Sequence, residues 1–195
     1  MSPEPIEDRK RVLRANARGL RPERLEMAAS AAQRRLLELP ELSLAETVVL
    51  YAGALYEMPT DTLVATLRAR GVRLLFPRVE GPALRLFVAN DLEELTPGYR
   101  GIREPASDGR AIPPGEVDLF VVPGVLFDRA GRRLGRGGGH YDRLLGRARE
   151  DAVRAGLCYA RRVVRELPAA PWDVPVHVVV TETEVIRPTR AEEGS

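Results

Sequence analysis

Lysine is almost missing from this chain. Lys10 is the only lysine among 30 basic side chains, and the other 29 are arginines. Cysteine is as scarce: Cys158 stands alone, so no internal disulfide can form. It lies in the apolar run Ala155-Gly156-Leu157-Cys158-Tyr159, which marks a buried structural thiol rather than a nucleophile. Two histidines exclude a histidine-rich metal centre. An aromatic content of 5% leaves few platforms for stacking single-stranded nucleic acid. No apolar run approaches the roughly 20 residues that span a bilayer. The opening MSPEPIEDRKR has no apolar signal-peptide core. These absences predict a cytoplasmic protein that engages neither membrane nor nucleic acid.

What is present suits a globule. The 195 residues are 44% hydrophobic and 30% charged, enough for one domain that buries about 70% of its unfolded surface. We expect a single domain over residues 1–187 and a polar tail over 188–195. No apolar stripe beyond the needs of a core calls for a partner copy, so a monomer is expected. The net charge of +2 conceals a pattern. Residues 9–35 carry nine basic and two acidic side chains, and residues 128–149 carry seven arginines and two aspartates. Two basic segments far apart in sequence could converge on one anionic ligand. The competing reading, solvated helix surfaces, suffices for most of these arginines.

Periodicity predicts an amphipathic helix over 4–18, with Lys10 and Arg14 four apart on one face. Gly19 ends it and Pro22 opens a second helix over 22–38, stopped by Pro40. Buried strands are predicted over 47–51, 72–76, 84–88, 117–122, 153–159 and 176–181, with a short terminal one over 183–186. Helices are predicted over about 60–70, with Thr60 as a cap, and over 139–150. A short helix or turn is expected over 160–167, and an irregular stretch over 168–175. Residues 89–116, rich in glycine, proline and charge, read as a long surface connection able to act as a flap over a site. Alternating helices and buried strands predict a three-layer α/β fold with a mainly parallel sheet. Glu57 would then stand in a loop beyond the carboxyl end of a strand, where such sheets place ligands.

The most informative stretch is VVPGVLFDRAGRRLGRGGGHYDRLLGR, residues 121–147. A strand feeds an arginine-rich loop, then Gly137-Gly138-Gly139, then a helix opening with His140, Tyr141 and Asp142. Three adjacent glycines cost stability, about 0.5–1 kcal/mol each against alanine. A compensating role is to bring backbone amides close to an anion at a helix start. Arg133 and Arg136 suit the same anion through bidentate pairing. The loop is neither of the common phosphate motifs. Gly131-x-x-x-Gly135 is one residue short of a Walker A loop, and Gly135-x-Gly137-x-Gly139 lacks the last spacing of a dinucleotide fingerprint. Asp142 could complement the helix dipole, and Asp173 could cap a turn. Either could instead hold magnesium beside phosphates. His177 reads as a strand residue.

VPGVLFDRAGRRLGRGGGHYDR resembles the signature of the 5-formyltetrahydrofolate cyclo-ligase family, also called 5,10-methenyltetrahydrofolate synthetases. The resemblance runs from Lys10 to the Val180–Glu182 stretch. Two departures stand out. The family usually has two tyrosines where this chain has His140-Tyr141, and often an acid where it has His177. The resemblance implies a Rossmann-like, CoA-transferase-like sheet and an ATP- and magnesium-dependent cyclisation of 5-formyltetrahydrofolate to 5,10-methenyltetrahydrofolate, giving ADP and phosphate. It implies ATP binding by Lys10, Arg11, Val12, Leu13 and Arg14. It implies the same for Arg133, Leu134, Gly135, Arg136, Gly137, Gly138, Gly139, His140 and Tyr141. Folate contacts are implied at Ala52, Glu57, Arg136, Gly137, Gly138, Gly139 and His140. Magnesium ligands are implied at Asp142 and Asp173, and catalytic roles for Arg136 and Asp142. The substrate would be 5-formyltetrahydrofolate with or without a polyglutamate tail. Two other readings of the basic chain remain open at this stage. One is an RNA-binding relative without turnover; the other is a sugar-phosphate isomerase on a similar frame, which would act without ATP.

Overall fold

The computed structural model describes residues 5–17, 25–53, 57–107 and 109–188. The turn signals Gly19 and Pro22, and residues 189–195 of the polar tail, lie outside the described residues.

Five α-helices are described: α1 Ile6–Ala17, α2 Leu25–Leu37, α3 Pro40–Ser43, α4 Asp61–Ala69 and α5 His140–Leu145. The strands are β1 Thr47–Val49, β2 Arg73–Glu80, β3 Ala83–Val88, β4 Thr96–Pro97, β5 Arg103–Glu104 and β6 Leu119–Val122. They continue with β7 Leu126–Asp128, β8 Arg133–Leu134, β9 Val153–Leu157, β10 Val163–Val164, β11 Val178–Val180 and β12 Val185–Ile186. Seven strands form the main sheet in the order β12-β11-β9-β6-β1-β2-β3. The five central strands run parallel, and the hairpin partners β3 and β12 close the edges antiparallel. This is the mainly parallel α/β sheet that the alternation of helix and strand predicts.

Successive residues of a strand face opposite sides, so continuous apolar strands feed two cores. Val48, Leu119 and Val121 pack on one face with Leu36 of α2 and Leu63 and Leu67 of α4. Val49, Phe120 and Val122 pack on the other with Leu144 and Leu145 of α5. Three layers result.

Several local expectations are corrected. Pro40 does end α2, but it also opens α3, where a missing N–H costs nothing. Thr60 takes the N-cap position of α4 without capping it; its hydroxyl instead donates to Tyr51 O at 2.7 Å. β2 runs four residues past Phe76 through Pro77, because its partner β3 pairs with it to Glu80. Residues 160–167 contain a 3-10 turn and then β10. The helix expected over 139–150 stops at Leu145, and Gly146 closes it with a bond from its N–H to Asp142 O. The arginine-rich loop is mostly structured: β7 pairs antiparallel with β8 and parallel with β10. Phe127 of β7 explains two glycines. A Cβ on Gly124 would meet its ring at 2.6 Å, and one on Gly156 would meet it at 2.5 Å.

The 89–116 connection is not bare loop. Leu92 and Leu95 are buried, β4 pairs with β5, and Ile112 bridges to Leu86. The flap is therefore anchored at both ends, and its middle, Tyr99–Glu104, reaches toward the strand ends of the sheet.

Candidate active site

A cavity of about 450 Å³ opens at the carboxyl ends of the adjacent strands β1 and β6. The chain leaves β1 toward β2 on one side, while β6 lies on the other, so this is the switch point at which open α/β sheets bind ligands. Separate stretches of the chain wall it: α1, the segment after β1, the β2–β3 hairpin, the flap around Tyr99–Glu104, the turn after β6, the run from Arg133 to Asp142, and Trp172-Asp173.

α1 contributes one face only. Glu7, Lys10 and Arg14 line the cavity, as their spacing of three and four requires. Lys10 is 4% exposed, and its Nζ donates to Asp173 Oδ2 at 2.6 Å. Arg14 Nε donates to Gly135 O at 2.9 Å. The sole lysine and its neighbour one turn on thus tie the N-terminal helix to both far walls. Arg11, Val12 and Leu13 do not reach the cavity. Arg11 points outward and pairs with Asp8, Val12 is exposed, and Leu13 packs beside Ala17 and Leu134.

The glycine loop reaches the cavity along its whole length, Gly135 through Gly139. Gly137 and Gly139 have φ of 100° and 62°, conformations that other residues rarely adopt. Arg143 braces the loop, with Nη2 donating to Gly138 O at 2.7 Å and Nε to Pro82 O at 2.8 Å. Arg133 is buried beneath it. Its Nη2 donates to Asp142 Oδ1 at 2.8 Å, and its guanidinium lies 5.6 Å from the centre of the Tyr141 ring. Arg136 Nε sits 3.1 Å from Glu57 Oε1. The expectation of two arginines awaiting an anion is therefore revised: each is already paired with a carboxylate in the cavity wall. Ala52 and His140 complete this side, and His140 meets the Tyr99 ring edge-on at 6.2 Å. The residue that departs from the family pattern thus touches the flap.

Asp142 and Asp173 come together through one short segment. Asp142 Oδ1 also accepts from Val174 N at 3.3 Å, and Asp173 Oδ2 accepts from Ala170 N at 2.7 Å. Among the described residues the second oxygen of each carboxylate makes no hydrogen bond. No group of three or more His, Cys, Asp or Glu is gathered for a metal among them. Two part-buried carboxylates, each with an oxygen to spare, fit a hard divalent cation that takes its remaining ligands from phosphate and water.

Burial raises the Tyr51 and Tyr141 phenols above their ordinary range, and the Glu57 carboxylate raises both further. His177 is no base in this cavity: its Nδ1 accepts from Arg154 N at 3.2 Å, at the foot of β9. Cys158 is buried and lies outside the cavity wall, its thiol pushed up first by desolvation and then by Glu182.

Sequence reasoning missed Tyr51, Tyr99, Arg103, Glu104 and Trp172, all of which line the cavity. A signal existed for three of them in the polar, glycine-rich character of the 89–116 flap. Trp172 and Tyr51 carried none.

A family model described as the 5-formyltetrahydrofolate cyclo-ligase family matches residues 4–182. A relative from Escherichia coli (strain K12), 5-formyltetrahydrofolate cyclo-ligase, is 31% identical over 184 residues, covering 89% of this chain and 98% of its own. A mitochondrial 5-formyltetrahydrofolate cyclo-ligase from Arabidopsis thaliana is 29% identical, covering 91% of this chain and 75% of its own. The solved structure of Aquifex aeolicus 5,10-methenyltetrahydrofolate synthetase superposes with a TM-score of 0.78 at 31% identity, over 97% of this chain and 95% of that one. A synthetase structure from Mycoplasma pneumoniae shares the fold, with a TM-score of 0.71 at 19% identity over 92% of this chain and 99% of that one.

Proposed function

The chain belongs to the 5-formyltetrahydrofolate cyclo-ligase family, and on that premise we propose that it closes 5-formyltetrahydrofolate to 5,10-methenyltetrahydrofolate at the expense of ATP. The observation that carries this reading is the convergence of Lys10, Arg14, Glu57, the Gly135–Gly139 loop, Asp142 and Asp173 on one cavity. The enzyme works in the cytoplasm as a monomer, and it takes its substrate with or without a polyglutamate tail.

The chemistry follows from a poor leaving group. The formyl oxygen on N5 is amide-like and cannot depart as it stands. That oxygen attacks the γ-phosphorus of ATP, the bond to the bridging oxygen breaks, and ADP leaves. N10 then attacks the activated formyl carbon. Its proton passes to solvent, the carbon–oxygen bond breaks, and inorganic phosphate departs, leaving the methenyl bridge between N5 and N10. Little covalent work falls to the protein, so positioning and charge neutralisation dominate.

This division of labour assigns roles. Lys10 and Arg14 hold the nucleotide from α1, and Arg136 with the amides of Gly137, Gly138 and Gly139 faces the transferring phosphoryl group. Arg133 and Tyr141 lie beneath as its support. Glu57 accepts hydrogen bonds from the N–H groups of the pterin, with Ala52 beside it. Asp142 and Asp173 would hold Mg²⁺, which when bound neutralises charge on the phosphates.

The test is the appearance of methenyltetrahydrofolate from 5-formyltetrahydrofolate and magnesium-ATP, with Arg136→Ala and Asp142→Ala beside the wild type. Turnover by the wild type, lost in both variants, is expected. A folded wild type that binds ATP but forms no product would overturn the reading.

A further inference from the structure

Two buried phenol hydroxyls in the cavity wall have no hydrogen-bond partner among the described residues, those of Tyr51 and Tyr141. Buried polar groups are paired in the great majority of proteins, and an orphan at a site calls for a cause. Tyr141 lies on α5 beside the Arg133 guanidinium, within the stretch already read as nucleotide-binding. Tyr51 is different. It stands two residues past β1, only 3% exposed, next to Ala52 in the chain, and its phenol lies within the field of the Glu57 carboxylate. Its backbone is fixed by the Thr60 hydroxyl bond to its carbonyl, so the ring is held by the sheet and not by a loose loop.

The neighbourhood gives this hydroxyl a direction of use. Ionised Glu57 can accept hydrogen bonds but cannot donate one. The edge of a pterin ring alternates, with N–H and amino donors beside a carbonyl acceptor. A carboxylate alone can satisfy the donors and leaves the carbonyl without a protein partner. We propose that the Tyr51 hydroxyl donates to a ring acceptor of the bound folate, completing with Glu57 an acceptor–donor pair that selects the pterin. This rests on the folate reading given above. Burial and the nearby Glu57 charge keep the phenol protonated across the working pH range, so the donor is always present.

The conservative variant Tyr51→Phe keeps the ring and removes only the hydroxyl. Equilibrium binding of 5-formyltetrahydrofolate and, separately, of a non-hydrolysable ATP analogue would be measured on the full chain, with the thermal midpoint and steady-state constants. Folate affinity should fall roughly fivefold to tenfold, the loss of one neutral hydrogen bond. KM for the folate should rise by the same factor with kcat held within about twofold, as for an interaction made before and during the reaction alike. ATP-analogue affinity should be unchanged and the thermal midpoint equal or higher, because the variant no longer buries an orphan hydroxyl. Equal folate affinity in the two proteins would overturn the inference. So would a parallel loss of folate and ATP binding with a lowered midpoint, which marks a packing role. A wild type that fails to bind 5-formyltetrahydrofolate at all would instead overturn the folate reading and this inference with it.

Discussion

Arg136 and Glu57 form an ion pair across the cavity: Nε of one lies 3.1 Å from Oε1 of the other. One comes from the glycine loop and the other from the segment beyond β1, so the groups assigned to phosphate and pterin neutralise one another before either ligand arrives. A phosphate that draws Arg136 away removes this contact from Glu57, and a folate that draws Glu57 away removes it from Arg136. Linkage makes such coupling reciprocal. A non-hydrolysable ATP analogue should therefore tighten 5-formyltetrahydrofolate binding several-fold in calorimetry, and Glu57→Gln should abolish most of that gain. Identical folate affinity with and without the analogue would show that the pair does not link the sites.

Asp142 carries a structural duty beside its proposed catalytic one. Its Oδ1 is the partner of Arg133, which is 4% exposed at the side chain. Asp142→Asn removes the counterion of a buried guanidinium, and such breaks cost about 3 kcal/mol. Asp173→Asn leaves Lys10 with Glu7 at 3.5 Å as its remaining carboxylate, on the exposed side, and should cost less. Both variants should lose at least 100-fold in turnover and require more magnesium for half-maximal rate. Urea titration and rate against magnesium concentration separate the two effects. Full activity in Asp173→Asn at low magnesium would remove that residue from the metal site.

Much of the architecture was legible because its signals are local. Short apolar runs rich in β-branched residues, such as Thr47–Leu50 and Leu119–Val122, suit strands buried on both faces, and their alternation with helices leaves few folds. The glycine loop was legible because three adjacent glycines need a reason. Pairing across the cavity was not. Nothing in sequence says that Lys10 meets Asp173 or that Arg136 meets Glu57, since those contacts exist only once the sheet has brought distant strand ends together. Helix ends failed for the same reason: Thr60 has the chemistry of a cap, yet its hydroxyl is taken by Tyr51 O, a partner supplied by the fold. Arg133 read as an arginine waiting for an anion, because neither its charge nor its spacing reveals that the fold pairs it with Asp142.

Gly156 is a packing requirement in the middle of β9. An added Cβ would lie 2.5 Å from the ring of Phe127, itself wholly buried. The ring is held on the other side by Gly124, so it has little room to yield. Gly156→Ala should cost about 1–3 kcal/mol by overpacking, read as a lower urea midpoint with unchanged slope. An unaltered midpoint would mean that the ring moves without strain. Phe127→Leu should recover part of the loss in the double variant, since it removes the clashing edge.

Cys158 should be inert in the folded protein. It is 2% exposed, and burial pushes its thiol well above the ordinary range, with the Glu182 charge adding to the shift. Thiolate is the reactive form, so a disulfide reagent at pH 8 should label the native chain only through unfolding. Labelling should become fast in denaturant and slow in proportion to stability without it. Rapid native labelling would place Cys158 on an accessible surface and contradict its place in the second core, which also holds Phe120 and Val179.

The pair Glu41–Arg187 gives a prediction whose sign depends on pH. Arg187 donates to both carboxylate oxygens, at 2.6 and 3.1 Å, joining the first turn of α3 to the residue after β12. That hydrogen bonding holds the Glu41 carboxyl below its usual range, against a smaller opposing effect of burial. A depressed carboxyl stabilises the fold fully above its unfolded pKa and ceases to do so as pH falls through its folded value. Arg187 is half exposed, so solvent screening limits the gain to about 0.5 kcal/mol. Glu41→Gln should therefore lower stability slightly at pH 7, and the difference from wild type should shrink as pH falls below the ordinary glutamate value of about 4.3, closing only below the depressed folded value. Urea titrations at pH 7 and pH 3.5 measure it. A deficit that persists undiminished at the lower pH would locate the effect in lost side-chain packing and not in charge.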